Sequence, residues 1–137
     1  LAVGIDPVLG HAVLALLYPG LDLSKAFHED HIFPRSRFTP KRLAEAGVPQ
    51  DRIDAYRQAV DLLPNLQLLA GRPNIEKQAK LPDVWLDGAF PSEEKRAVYE
   101  RENDLDDLPL ELDAFLDFFE LRKERMRKRL DLALRAE

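Results

Sequence analysis

Apolar residues recur at helical spacing in several segments of the chain, and Pro or Gly residues mark where those segments end. Residues 7–18 predict a short buried helix that Pro19 and Gly20 terminate. Thr39 and Pro40 predict the N-cap and first residue of a second helix, which Gly47 closes. Residues 49–62 predict a third helix with an apolar face.

Two short strands are predicted between these helical segments. Residues 30–33 are β-branched and aromatic near their end, and Pro34 disfavours helical geometry at the residue before it. Residues 65–69 predict the second strand, and turn residues follow at 71–73. A further helix is expected over residues 74–80, ending before Pro82.

The C-terminal part is predicted to be helical. Residues 81–110 are acidic and proline-containing, with one helix expected over 92–101 because Ser92 suits an N-cap. Residues 111–134 predict the longest helix. Its apolar stripe comprises Leu112, Phe115, Phe119, Met126, Leu130 and Leu134. The cluster of Phe115, Phe118 and Phe119 is expected to pack in the core or against a further domain, and Trp85 is expected in the core.

Composition narrows the class of protein. The chain has 137 residues, enough for one domain, and no apolar run approaches the ~20 residues that span a bilayer. It has no cysteine, which excludes disulfides, iron-sulfur clusters and four-thiolate zinc sites. Cytoplasmic residence is the expectation from these features. The first residue is Leu, so we expect the chain to be part of a longer protein.

Charge is distributed unevenly along the chain. The net charge of −5 argues against a stand-alone DNA binder, because cations supply most nonspecific affinity for DNA. Residues 25–80 nevertheless carry ten Lys or Arg against seven Asp or Glu, whereas residues 81–110 carry three against nine. The positive excess therefore lies in the segment that contains the candidate catalytic and metal-binding residues.

Those polar residues lie in two stretches, F-H-E-D-H-I-F-P at 27–34 and N-L-Q-L-L-A-G-R-P-N-I-E-K-Q-A-K-L-P at 65–82. His31 is a candidate general base, because imidazole takes up a proton near neutral pH. Asp30 and Asn74 offer hard oxygen ligands for Mg²⁺ or a similar divalent ion. Adjacent strand residues point to opposite faces, so Asp30 and His31 serve one site only at a bend or at the sheet edge.

The pattern D-H-I-x-P followed by N-x₈-N-x₂-K resembles that of HNH (ββα-metal) endonucleases. The interval from Asn65 to Asn74, with Lys77 and Pro82 after it, also resembles the HNH domain of RNA-guided CRISPR endonucleases. Residues 13–86 more closely resemble the C-terminal HNH domain of GmrSD-like modification-dependent restriction proteins. The resemblance implies that His31 activates water, that Asp30 and Asn74 hold the metal ion, and that Asn65 orients His31. It also implies 3′-hydroxyl and 5′-phosphate products.

The expected fold is therefore α+β, a ββα-metal core at residues 25–86 embedded in several helices, with a helical extension at 92–135 of a single domain. The expected function is metal-dependent DNA cleavage, with Mg²⁺ as the first choice of cofactor and Mn²⁺ as another. Arg72, Lys77, Arg35 and Lys80 flank the motif and are candidate contacts to DNA phosphates. The resemblance further implies phage defence and a partner domain in the same protein, N-terminal and nucleotide-hydrolysing.

Several alternatives remain open at this level. Taken singly, Asp30 is equally consistent with a carboxylate in a turn and His31 with a structural histidine. Asn65 is equally consistent with a turn residue. Asn74 suits a helix cap. His28 forms a conceivable zinc pair with His31, although a surface role or a DNA contact suits it better. The basic run at 122–129 suits a solvated face, or a surface for DNA or an acidic partner. A binding module inactive without its partner domain, and a nuclease acting on RNA, are the alternative functions.

Overall fold

The computed structural model describes residues 7–19, 27–70, 77 and 79–135. Its helices are α1 (Pro7–Leu17), α2 (Pro40–Glu45), α3 (Ile53–Ala59), α4 (Pro82–Ala89), α5 (Glu93–Glu102) and α6 (Phe115–Arg135), and its strands are β1 (Phe27–His31) and β2 (Leu66–Ala70). Within these residues, no helix is both long and apolar enough to cross a membrane.

The two strands form an antiparallel sheet in which Phe27 pairs with Ala70 and His31 pairs with Leu66. The first strand lies earlier than the predicted residues 30–33. Ile32 and Phe33 leave the sheet because they enter the core, where they are 1% and 0% exposed. Phe33 packs edge-on against Phe115 of α6, with ring centroids 5.2 Å apart. The segment just after His31 is therefore anchored in the interior.

Local sequence signals account for α2 and α3. The side chain of Thr39 accepts a hydrogen bond from the backbone N–H of Arg42, as predicted for an N-cap, and Gly47 adopts a φ of 96° just beyond the helix. The third helix is shorter than the predicted residues 49–62. Gln50–Arg52 form a 3₁₀ turn before it, and α3 ends at Ala59.

The helix α4 differs from the prediction, because the sequence pattern around Pro82 indicates only the end of a preceding helix. Leu81 is extended and Pro82 occupies the first turn of α4, where proline is tolerated since its missing N–H has no helical partner. Trp85 and Leu86 of α4 pack on Leu69 of β2, which confirms the core position expected for Trp85. The helix predicted over 74–80 lies largely outside the described residues, although Lys77 is helical.

The two C-terminal helices follow the prediction closely. Ser92 caps α5 by accepting a hydrogen bond from the backbone N–H of Lys95. The three clustered phenylalanines of α6 are buried in the core of this chain, whereas Leu134, expected in the apolar stripe, is 65% exposed. The fold is thus a mixture of helices with one antiparallel two-stranded sheet. Whether a helix beginning at Asn74 completes a ββα unit is a question outside the described residues.

Candidate active site

Strand pairing brings the two halves of the sequence motif together. His31 ends β1 opposite Leu66, and Asp30 lies opposite Gln67. The backbone N–H of Ile32 donates to the carbonyl of Asn65 over 2.8 Å, which continues the pairing one step beyond the sheet. Asp30, His31 and Asn65 therefore meet at the same end of the sheet, although more than thirty residues separate them in sequence.

Asn65 is completely buried and binds backbone groups from two other segments. Its Oδ1 accepts from the backbone N–H of Phe33 over 2.9 Å, and its Nδ2 donates to the carbonyls of Phe33 over 3.1 Å and Val60 over 2.9 Å. The side chain contacts the backbone beyond His31 and not its ring. Any orientation of His31 by Asn65 therefore acts through the backbone of residues 32–33.

Asp30 lies in a chain of buried polar groups. Its Oδ2 accepts a hydrogen bond from Gln67 Nε2 over 3.1 Å and lies 3.3 Å from Lys77 Nζ. The Oε1 of Gln67 accepts in turn from the hydroxyl of Tyr99 over 2.7 Å. Burial raises the pKa of the Asp30 carboxyl above its ordinary value, and the ammonium of Lys77 opposes part of that shift. The other oxygen, Oδ1, makes no hydrogen bond with the described residues.

Lys77 is placed differently from the phosphate contact expected of it. Its side chain is 1% exposed, and its ammonium donates to the carbonyls of His31 over 2.5 Å and Ile32 over 3.2 Å as well as pairing with Asp30. Burial lowers the pKa of Lys77, and the Asp30 carboxylate partly opposes this. All three ammonium donors therefore have partners inside the chain, and this lysine holds the backbone of the site.

His31 has a partner that the sequence did not indicate. Its Nε2 lies 2.8 Å from Asp61 Oδ1, and the two side chains are 34% and 48% exposed. Arg35 Nε lies 3.6 Å from the same Asp61 oxygen. Asp61 follows α3 by two residues, where a lone acidic side chain is an ordinary surface feature. Only the tertiary structure shows that it meets His31.

An open cleft of about 310 Å³ lies at the end of β1. Its lining residues are Glu29, Asp30, His31, Pro34, Arg35, Ser36 and Lys77. Asp30 and His31 thus line one cleft where the strand ends, although they are adjacent in sequence. Arg35 stands exposed at its rim, whereas Lys80 is exposed and does not line it. Asn74 and Arg72 lie outside the described residues.

The remaining basic and histidine candidates do not line the cleft. His28 is exposed on β1, and the described residues contain no group of three His, Cys, Asp or Glu side chains arranged for a metal ion. In the basic run of α6, Arg122 is 1% exposed and donates to backbone carbonyls. Its neighbours pair with acidic residues of this chain: Lys123 with Glu120, Arg125 with Asp106, Arg127 with Glu124, and Arg129 with Asp104. These pairs favour an intramolecular role for the run over a DNA surface.

The acidic side chains near the cleft differ in their surroundings. Asp30 lines the cleft beside His31, and its Oδ1 makes no hydrogen bond with the described residues. The Oε1 of Glu29, also without a partner among them, is buried and lies against Gly10 of α1. Mg²⁺ commonly takes one or two carboxylates and keeps several waters, so a small protein ligand set is adequate. Comparison of the sequence with protein-family models finds no match, and comparison with curated proteins finds none either.

Proposed function

We propose that this chain is a metal-dependent HNH endonuclease that hydrolyses phosphodiester bonds of DNA. The observation that carries the proposal is the cleft at the end of β1, where Asp30 and His31 lie side by side against the segment that Asn65 clamps. Hydrolysis of a phosphodiester needs a base for water and positive charge near the phosphate. Both requirements have candidates in this cleft.

The proposed roles follow from these positions. His31, partly exposed at the cleft, takes the proton from the attacking water. Asp30 and Asn74 would hold Mg²⁺, or Mn²⁺ in its place. Bound there, the ion would stabilise negative charge on the phosphate. Arg35 at the rim is placed to contact a neighbouring backbone phosphate.

The wider setting of the proposal comes from the sequence motif. The resemblance to GmrSD-like restriction proteins supports a role as the cleaving domain of a restriction-type phage-defence protein in the cytoplasm. In that setting an N-terminal nucleotide-hydrolysing domain of the same protein would control access to DNA. The ion pairs of α6 fit this view, because they engage cations of its basic run with acidic residues of the same chain, and cations already paired contribute less to DNA binding.

Cleavage of supercoiled plasmid in Mg²⁺ or Mn²⁺ tests the proposal. His31→Ala is expected to lower the rate at least about 100-fold, the usual contribution of a general base. Asp30→Asn is expected to reduce the rate and to weaken Mn²⁺ binding measured by calorimetry. His28→Ala is the matched control, because this histidine is exposed on the same strand outside the cleft. Undiminished cleavage by His31→Ala would refute the proposed role of the cleft.

The substrate class needs a separate measurement. Labelled DNA and RNA of the same sequence, offered together and singly, should show preferential cleavage of DNA. Preferential cleavage of RNA would support the proposed hydrolysis of phosphodiester bonds but would show that RNA, and not DNA, is the substrate. An inert domain that still loses Mn²⁺ binding in Asp30→Asn would indicate that cleavage requires the partner domain.

A further inference from the structure

We propose that Asp61 is the positioning residue of His31: its carboxylate accepts the hydrogen bond of the imidazole Nε2–H and so leaves Nδ1 as the nitrogen that receives the proton of water. The proposal rests on the proposed function and adds to it a residue outside the sequence motif. It assigns a role to the helical segment that lies between the two strands.

The first support is the contact itself. Nε2 of His31 and Oδ1 of Asp61 are 2.8 Å apart, a normal hydrogen-bond length, across thirty positions of sequence. Exposed ion pairs contribute little to stability, so this contact is poorly explained as a device for holding the fold together. It does fix the direction in which the imidazole ring points.

The second support is the way in which the two partners are held. Val60, immediately before Asp61, is 3% exposed, and its carbonyl accepts a hydrogen bond from Asn65 Nδ2 over 2.9 Å. The same amide binds both backbone groups of Phe33, two residues after His31. One buried side chain thus ties together the two backbone segments that present His31 and Asp61. The backbone that carries each partner is therefore held by the fold, while the two side chains themselves are partly exposed.

The third support is the chemistry of imidazole. A neutral ring carries one N–H, and an acceptor on one nitrogen fixes the proton there and leaves the lone pair on the other. With Nε2–H donated to Asp61, the Nδ1 lone pair takes the proton of water as the water oxygen bonds to phosphorus. The bond from phosphorus to the 3′ oxygen breaks with its electron pair going to that oxygen, which takes a proton from solvent. The imidazolium then returns its proton to solvent.

Three variants separate this role from a structural one. Asp61→Ala removes the acceptor, Asp61→Glu restores a carboxylate, and Asp54→Ala removes an equal charge from an exposed position on α3. Loss of an orienting partner typically costs 10- to 100-fold in activity. We expect a loss of that size in the single-turnover cleavage rate of Asp61→Ala at saturating protein, with unchanged DNA affinity. Asp61→Glu should recover at least threefold over Asp61→Ala, and Asp54→Ala should stay within twofold of wild type.

A second measurement is independent of cleavage. Nitrogen-15 NMR of labelled histidine reports which ring nitrogen carries the proton, and a His31→Ala spectrum assigns the signals. We expect the Nε2–H form of His31 in wild type and a mixture of both forms in Asp61→Ala. An unchanged His31 signal, or a cleavage rate of Asp61→Ala within twofold of wild type, would overturn the proposal. Wild-type protein inert on DNA would count against the proposed function, and the NMR comparison would then decide the role of Asp61.

Discussion

Replacement of Asn65 by alanine gives the sharpest test of how the candidate site is held. The variant removes three hydrogen bonds to buried backbone groups, namely the N–H and carbonyl of Phe33 and the carbonyl of Val60. Each buried group left without a partner costs about 1–3 kcal/mol. Water entering the vacated space would restore part of this, so we expect a loss of about 3–5 kcal/mol in the free energy of unfolding.

A loss of this size is a large share of the total stability of a domain, which is about 5–15 kcal/mol. Urea denaturation followed by circular dichroism measures it directly, and we expect the melting temperature to fall by roughly 10–20 °C. Asn103→Ala is the matched control. Its amide makes one hydrogen bond, from Nδ2 to the carbonyl of Tyr99 over 2.9 Å, at a partly exposed position. This variant should lose about 1 kcal/mol or less.

The comparison also decides between two roles for Asn65. If Asn65→Ala loses less than about 1 kcal/mol, the clamp between the segments at Phe33 and Val60 is refuted. Low cleavage with wild-type stability would then indicate a direct contact of Asn65 with the reacting groups.

Three further predictions concern buried charged or ionisable groups. Lys77→Met should lower the free energy of unfolding by about 3–5 kcal/mol in urea denaturation, because it leaves the buried Asp30 carboxylate without its partner. Reduced DNA affinity at unchanged stability would instead favour a contact between Lys77 and a DNA phosphate. Arg122→Met should lower the free energy of unfolding by at least about 3 kcal/mol, because it leaves the buried carbonyls of Pro64 and Leu66 without their donor. Arg127→Ala, at an exposed position, should change it by no more than about 0.5 kcal/mol. Burial raises the pKa of the Tyr18 hydroxyl from about 10 to about 12, which means that the folded chain favours its neutral form. The contribution of this hydroxyl to the free energy of unfolding is therefore complete below about pH 10 and is lost as the pH rises through 12. Wild type should lose about 2–3 kcal/mol more over this range than Tyr18→Phe, and equal slopes in alkaline denaturation would contradict this.

The parts of the fold that local sequence determines were predictable. Thr39 and Ser92 both cap helices as expected, since a cap depends on residues within one turn. The missed helix α4 shows the limit of the same reasoning. Pro82 ends one segment and begins another, and no local feature distinguishes a proline that terminates a helix from one in a first turn.

The structure brings together three residues of the motif, Asp30, His31 and Asn65, whereas the groups that support them were not predictable. The polar Gln67 in an otherwise apolar strand was a usable signal, because a buried amide there requires partners, and it binds Asp30 and Tyr99. Lys77 gave no such signal, since a lysine near a motif is equally consistent with a phosphate contact. Its burial comes from its contacts with Asp30 and with the carbonyls of His31 and Ile32, which are tertiary contacts.

The helices between the strands are best understood as part of the site. The segment that holds α2 and α3 joins the two strands. Its end is fixed by Asn65, which binds Val60 and Phe33 at once, and Asp61, which follows Val60, reaches His31. We therefore expect a change at the end of α3 to reach the imidazole through one buried amide and one carboxylate.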